Sequence, residues 1–348
     1  MRTLLDQIES WLSNGKSVAL ATVIKTWGSS PRQVGAGMAV TGEGQIAGSV
    51  SGGCVEGAVI DASLEVIKTG KPIRLHFGVA DSDAWEVGLA CGGEIEVFVR
   101  VFTKKQLQLW LETLNLEQVF CSALLVNGPD TLLGKELIIF DDGKSLGDDF
   151  PPVEQQSIIL NAKEAISSGK SSCKIVNDDQ LGEFFFHLVL PMPRLIVIGG
   201  VHIAVPLVKL ADMIGFEAIV IDPRKLFGTE ERFPEVRQLL RTWPMEAFKE
   251  IQVNPSTAIV MLTHDPKIDD PAIKIALSSP AFYIGALGSK KTHQKRLERL
   301  SADGIDRERL ELIRAPVGLD LGGRSPAEIA LSIMADVVKE WNSVGNKD

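Results

Sequence analysis

Apolar positions change period several times along the chain, and each change marks an element. Leu4, Leu5, Ile8, Trp11 and Leu12 share one face at helical spacing, so residues 4–12 are expected as an amphipathic helix. The β-rich run SVALATVIKTW follows and ends at the loop Gly28-Ser29-Ser30-Pro31-Arg32. AGMAVT and IAGSV flank GEGQ and read as a hairpin. Val55, Val59, Ile60, Leu64 and Ile67 return to helical spacing, which predicts a helix reaching Lys68. Ile73–Phe77 reads as a strand, and EIEVFVRV alternates in the period-2 sense. A helix over Lys104–Leu114, the strands FCSALLV and ELIIF, a helix over 152–168 and strands at Cys173–Val176 and Glu183–Leu190 complete this part. No internal repeat is evident in its residues.

Pro191-Met192-Pro193 breaks the pattern. Short all-apolar strands (LIVIG, AIVID, AIVMLT, AFYIGAL) then alternate with helices expected at His202–Gly215, Pro271–Leu277 and Lys290–Leu300, with a further strand expected at Leu239–Trp243. Such alternation predicts a parallel, doubly wound sheet. Ser325-Pro326-Ala327-Glu328 is a capping box that opens a last helix with an apolar stripe from Ile329 to Trp341. The expected architecture is α/β: a mixed α+β domain over 1–190, then a Rossmann-like doubly wound domain over 194–348.

Composition narrows the function classes. The 348 residues are 45% hydrophobic and 23% charged, enough to bury two cores. A net charge of −9 argues against a nucleic-acid surface. No apolar run approaches the ~20 residues of a membrane span, and the N-terminus, with Asp6 and Glu9, lacks a signal peptide's layout. Four scattered cysteines (54, 91, 121 and 173) form no CxxC pair and fit a reducing cytosol. Cys121 and Cys173 lie in apolar strand patterns and read as core.

The chemistry concentrates in Gly48–Gly57, GSVSGGCVEG. Its glycines allow backbone N–H groups to approach a ligand, and the helix that follows favours an anion at its N-terminus. Thiols at such positions ionise more readily than free cysteine. The stretch therefore offers an anion seat with a soft ligand, Cys54, or else a free cysteine in a tight turn. Gly28–Arg32 is a second candidate anion seat or a surface turn, and Cys91-Gly92-Gly93 repeats the thiol-and-glycine theme.

LIVIGGVHIA follows a strand and opens a helix, as a dinucleotide fingerprint does. Gly199 and Gly200 are present, but Val201 stands where the second glycine would admit a pyrophosphate. Asp222 lies where a ribose-binding acid belongs, with Arg224 beside it as a partner for a 2′-phosphate. His202, His264, Asp265, Gly288, Ser289 and Lys290 fall at strand ends and complete the candidate nucleotide-binding set. His264 and Asp265 suit acid–base or metal work; Asp269 and Asp270 are equally helix caps before Pro271.

Together the motifs resemble the XdhC/CoxI family of xanthine dehydrogenase accessory proteins. The resemblance covers nearly the whole chain. It rests on ATVIKTWGSSPRQVGAGMAV, GSVSGGCVEG and CGGEIEVFV, then on LIVIGGVHIA, VIDPR, MLTHD, YIGALGSKK and PVGLDLGGRSPAEIALSI. It implies a cytoplasmic, non-catalytic chaperone that binds molybdenum cofactor (molybdopterin), supports its sulfuration and hands it to a molybdenum hydroxylase such as xanthine dehydrogenase. A sulfur-donor desulfurase and a second copy of the chain, as a homodimer, are the further partners. The cofactor-binding candidates are Ser30, Arg32, Ser51, Gly52, Gly53, Cys54, Glu56, Cys91, Gly92 and Gly93, with Cys54 as candidate molybdenum ligand and no other metal site. The alternative is an NAD(P)-dependent oxidoreductase using the second domain.

Overall fold

The computed structural model describes residues 2–29, 32–78, 93–176 and 181–345. The chain divides into two compact units, Met1–Val189 and Leu190–Asp348.

The first unit runs α1 (Arg2–Ser13), β1 (Val18–Trp27), β2 (Gly37–Thr41), β3 (Ile46–Gly48), α2 (Glu56–Thr69), β4 (Ile73–Phe77) and β5 (Glu94–Val101). The same series then recurs as α3 (Lys104–Asn115), β6 (Phe120–Asn127), β7 (Glu136–Phe140), β8 (Ser145–Gly147), α4 (Pro152–Ser168), β9 (Ser172–Val176) and β10 (Gly182–Val189). Each half forms a five-stranded antiparallel sheet, ordered β3-β2-β1-β5-β4 and β8-β7-β6-β10-β9, so one topology is used twice. This corrects the expectation of no internal repeat. The halves share backbone requirements rather than side chains. Gly44, Gly48 and Gly70 correspond to Gly143, Gly147 and Gly169, three pairs at one constant separation, all six with positive φ. Gly48 and Gly147 end β3 and β8, where a Cβ would lie 2.3 Å from Gly37 O and 2.5 Å from Glu136 O. No other residue fits so close to a backbone carbonyl.

Helix α2 covers the outer face of its sheet, with Val59 and Val66 packed among Val23, Val40 and Val97. Helix α4 does the same in the second half, setting Ile158 and Ala162 against Cys121, Leu125 and Phe184. The other faces share one core, in which Leu20 and Ala39 meet Phe120, Ile138 and Val189, flanked by Leu5, Ile8 and Trp11 of α1 and Leu107 and Trp110 of α3. Strands buried on both faces read as continuous apolar runs, which is why VALATVI lacks alternation.

One carboxylate sits in that shared layer. Glu136 accepts from Arg100 Nη2 at 2.6 Å, from Trp110 Nε1 at 3.2 Å and from the Ser122 hydroxyl. Burial alone would raise its pKa, but the Arg100 guanidinium and these hydrogen bonds outweigh it and hold the carboxyl below the usual range. Nearby His187, stacked on Phe185, is pushed down to about 4 by burial and stays neutral at pH 7.

The second unit contains β11 (Arg194–Ile198), α5 (Ala204–Met213), β12 (Glu217–Ile221), β13 (Gln238–Leu240), α6 (Pro244–Glu250), β14 (Thr257–Met261), α7 (Pro266–Leu277), β15 (Tyr283–Ala286), α8 (Lys290–Ala302), α9 (Arg307–Leu310), β16 (Ile313–Arg314) and α10 (Pro326–Gly345). Its six strands are all parallel, ordered β13-β12-β11-β14-β15-β16. Helices α5 and α10 pack on one face and α6, α7 and α8 on the other. The doubly wound expectation holds. Helix α7 begins at Pro266, five residues before the expected start, because Asp265 caps it by accepting from Lys267 N at 2.9 Å. Pro271 is tolerated inside this helix at the loss of one backbone donor. Helix α5 begins at Ala204, past His202. Among the described residues no helix is long and apolar enough to cross a membrane.

The buried pair yields a stability prediction. Arg100→Met should cost about 3–5 kcal/mol, because it strands a buried carboxylate. Arg100→Met with Glu136→Gln should recover much of that loss. Urea midpoints of the two variants check this; equal losses would contradict the coupling.

Candidate functional site

Strand direction brings the glycine and cysteine motifs of the first unit to one place. Strand β1 runs antiparallel to both β2 and β5, while β3 and β4 each run antiparallel to the strand beside them. Trp27 pairs with Glu94, Phe77 with Ile95 and Gly48 with Met38, so the end of β1, the ends of β3 and β4 and the starts of β2 and β5 lie on one edge. The chain therefore leaves β1 at Trp27, β3 at Gly48 and β4 at Phe77 from that one edge. Arg32 is exposed on the first of the loops that follow. A Cβ on Gly93 would lie 2.5 Å from Ser29 O, so the start of β5 packs directly under the first loop. Ser30, Cys91 and Gly92 lie outside the described residues.

Glu56, the first residue of α2, organises the middle loop. Its Oε1 accepts from Ser49 Oγ at 2.7 Å and from Ser51 N and Gly52 N at 3.0 Å each. Its Oε2 accepts from Gly53 N at 2.8 Å and from the Ser51 hydroxyl, which in turn accepts from Val55 N at 3.1 Å. Gly52 and Gly53 take φ of +80° and +123°, conformations that turn their amides inward. Burial would raise the Glu56 pKa, but the Ser51 and Ser49 hydrogen bonds overcome it and bring it to about 2. The amides of Ser51, Gly52 and Gly53, expected to seat a ligand anion, are occupied here by the chain's own carboxylate. Ser51, Gly52, Gly53 and Glu56 direct these polar groups at one another rather than outward.

Cys54 stands on the outside of this turn, exposed, one residue before the α2 N-cap at Val55. A Cβ on Gly52 or Gly53 would meet nothing within 4 Å, so the space beside the thiol is open. Cys121 is buried and burial pushes its thiol up to about 12. Cys173 is pushed to about 12 by burial and by Glu183, and its Sγ lies 3.5 Å from Ile24 O. Sequence reading missed the ionic layer beneath the edge, where Lys25 and Arg74 meet Glu183 at 2.5 and 2.6 Å. No pattern along the chain joins β1, β4 and β10; only the packing of the two sheets does.

In the second unit the candidate nucleotide residues gather at the carboxyl ends of the parallel strands, but several are already engaged. Asp222 is fully buried. It accepts from Gly200 N at 2.8 Å, from Arg224 N and Nε at 2.9 Å each and from Arg224 Nη2 at 2.7 Å. The Arg224 guanidinium also lies 4.1 Å from the Phe227 ring centroid. A Cβ on Gly199 would lie 2.5 Å from Thr263 Cγ2, and one on Gly200 2.4 Å from Phe227 O. These glycines thus serve close packing of the chain on itself. Asp222 and Arg224, expected at a ribose and a 2′-phosphate, satisfy each other and the turn in this structure. Val201 is half-buried against the core of α5 and α10. His202 is exposed, and Lys290 is the first residue of α8. Asp265 caps α7, and Ser289, after Gly288, caps α8 by accepting from Thr292 N at 3.2 Å. His264 has φ +61°, a left-handed conformation uncommon for a non-glycine residue. Among the described residues no group of three or more His, Cys, Asp or Glu is placed to hold a metal ion.

Two predictions arise from the loop. Glu56→Gln should speed amide exchange at Ser51, Gly52 and Gly53 by about tenfold or more, the equivalent of losing a charged hydrogen-bond acceptor. In the wild type the same protection should be complete above pH 4.5 and fade as the pH falls toward about 2, because the folded carboxyl titrates below its ordinary 4.5. Hydrogen exchange followed by NMR checks both. Separately, a thiol reagent added to native protein should label Cys54 well before Cys121 and Cys173, and Cys54→Ser should remove that early label; mass spectrometry of the labelled peptides decides it.

Comparison with known proteins agrees with this layout. A family model described as XdhC Rossmann domain matches residues 195–337, and one described as XdhC and CoxI family matches residues 11–78. The chain is 28% identical over 339 residues to a protein of Bacillus subtilis (strain 168) described as a probable subunit of xanthine dehydrogenase, covering 97% of this chain and 96% of that protein. It is 28% identical over 338 residues to the molybdenum cofactor insertion chaperone PaoD of Escherichia coli (strain K12), covering 97% and 87%. A crystal structure from Bacillus halodurans, described as a xanthine dehydrogenase, shares the fold with a TM-score of 0.75 at 24% identity, over 97% of this chain and 96% of that one. The two models take in the Cys54 loop at one end and the doubly wound sheet at the other, and the chain belongs to the XdhC and CoxI family.

Proposed function

We propose that this protein is a maturation factor that carries molybdenum cofactor as cargo to a molybdenum hydroxylase of the xanthine dehydrogenase kind. One observation carries the reading: an exposed thiol, Cys54, stands on an open turn at the edge where the chain leaves β1, β3 and β4. The name of the Escherichia coli relative, an insertion chaperone for that cofactor, supports it.

The residues fit the cargo unevenly. A thiolate is a soft ligand suited to a metal such as molybdenum. The amides of Ser51, Gly52 and Gly53 are held by Glu56 and do not offer a seat to the cofactor's phosphate. Arg32, exposed on the neighbouring loop, is the cation suited to that role. Glu56 acts as a positioning residue: it fixes the turn, and the turn sets where Cys54 points. We extend the reading to sulfuration, with a desulfurase delivering sulfur at the same edge. The engagement of Asp222 with Gly200 and Arg224 favours the carrier over the NAD(P)-dependent oxidoreductase.

Purified full-length protein, titrated with molybdenum cofactor under reducing conditions, tests the proposal. Cys54→Ser should weaken binding by more than about tenfold, a loss seen even for outer-shell partners of a metal site. Glu56→Gln should weaken it less while leaving the thiol present. Unchanged affinity in Cys54→Ser would take the ligand role from this thiol, and absence of binding by the wild type would refute the carrier reading.

A further inference from the structure

A second site lies within the doubly wound unit. A cavity of about 160 Å³ opens between the N-terminal half of α7 and the helix α8, at the carboxyl edge of β14 and β15. Asp269 and Arg296 line it and are 1% and 2% exposed. Asp269 Oδ1 accepts from Thr263 Oγ1 at 2.6 Å, and Arg296 Nη2 donates to Leu287 O at 2.9 Å. Among the described residues Asp269 Oδ2, Arg296 Nε and Arg296 Nη1 have no hydrogen-bond partner. Among the described residues no ion pair is formed between the two side chains, although each feels the other's charge. Leaving buried polar groups unsatisfied is costly, and native structures leave few without an explanation.

The charges around the cavity set the sign of what fits. Lys291 and Lys295 reach it from the exposed side of α8, and neither forms an ion pair among the described residues. Asp270 is already matched by Arg299, through bonds of 2.8 and 3.0 Å. The remaining cations outnumber the one remaining carboxylate, Asp269. Burial raises the Asp269 pKa, against the opposing Thr263 hydrogen bond and Arg296 charge. Arg296 leaves donors at Nε and Nη1 unsatisfied in the buried wall of the cavity, and guanidinium N–H groups suit the oxygens of a tetrahedral oxyanion. Two lysines beside it can meet a third oxygen, more donors than a carboxylate needs. The turns at Gly52-Gly53 and Gly199-Gly200 do not offer such an arrangement, since Glu56 and Asp222 fill them from within.

We propose that the cavity between α7 and α8 binds a phosphate group, held by the unsatisfied donors of Arg296 together with Lys291 and Lys295, beside Asp269. The site is independent of the carrier reading and stands whether or not Cys54 holds molybdenum. The group belongs either to inorganic phosphate or to a phosphorylated small molecule whose remainder leaves through the open side by His264.

Calorimetric titration of the full chain with inorganic phosphate and with ribose 5-phosphate tests this. Lys291→Ala with Lys295→Ala, a change confined to exposed side chains, should weaken binding by about tenfold or more. Arg296→Gln should abolish it, with circular dichroism confirming that the variant is folded. Asp269→Asn should bind at least as tightly as the wild type, because it keeps the Thr263 bond through Oδ1 and presents an N–H to the ligand. Tighter binding of ribose 5-phosphate would assign the site to a phosphate ester, and equal binding to free phosphate; both support the proposal. No heat from either probe up to about 10 mM, weaker than any useful affinity, or full binding by the double-lysine variant, would overturn it. So would loss of binding in Asp269→Asn, which would mean that the cavity needs a carboxylate acceptor and takes a cation or a donor instead.

Discussion

Irregular turns leave backbone N–H groups without partners, and a fold must supply acceptors for them. This chain supplies its own carboxylates. Glu56 collects the amides of Ser51, Gly52 and Gly53, Asp222 collects those of Gly200 and Arg224, and Glu328 those of Arg324 and Ser325. Asp148 likewise accepts from Glu136 N. In each case an acid a few residues away, or at the end of the next strand, fills what would otherwise be an anion site. The turns are rigid as a result, and their outer surfaces rather than their amides face solvent. That constraint decides which glycine motifs can act on a ligand and how.

The first unit shows the consequence for function. One topology is laid down twice, and the shared core of the two sheets holds both halves. Only the first half carries the glycine-and-thiol turn. At the corresponding place after β8 the chain runs through Asp148, Asp149, Phe150 and Pro151 into α4. The duplicated half acts as a platform: it buries one face of the working sheet and anchors β1 and β4 to β10 through Lys25, Arg74 and Glu183. A sheet edge under a turn tied by Glu56 suits the cargo-holding role proposed for the Cys54 thiol.

The second unit uses the Rossmann plan, and at its first glycine turn Asp222 is bonded to Gly200 N and Arg224. Val201 packs half-buried against the core, and Gly199 and Gly200 give room to the chain itself. The carboxyl edge of the sheet still does what open α/β sheets do, which is to gather polar side chains at strand ends. The gathering has moved outward to β14 and β15, where Arg296 and Asp269 remain unsatisfied.

The residues alone settled what depends on local pattern. Period and punctuation located the Pro191-Met192-Pro193 break, the parallel sheet, the capped last helix and the turn at Gly48–Gly57, because hydrophobic spacing and glycine conformations act over a few residues. They also singled out Cys54 as a thiol on a turn. The resemblance to the family rested on the same motifs in order. Sequence could not show where a carboxylate points. Glu56 and Asp222 read as ligand-binding acids until pairing geometry turned them inward, since a side chain three or twenty-two residues from an amide bonds it only if the fold brings them together. The start of α7 was displaced for a local reason, a cap at Asp265 that Pro271 obscured. The repeat was hidden because two sheets can share a backbone plan with unrelated side chains once each residue needs only to be apolar on a buried face. The departure of the chain from β1, β3 and β4 at one edge, and the meeting of Asp269 and Arg296 at one cavity, came from strand direction and helix packing, which no window along the chain contains.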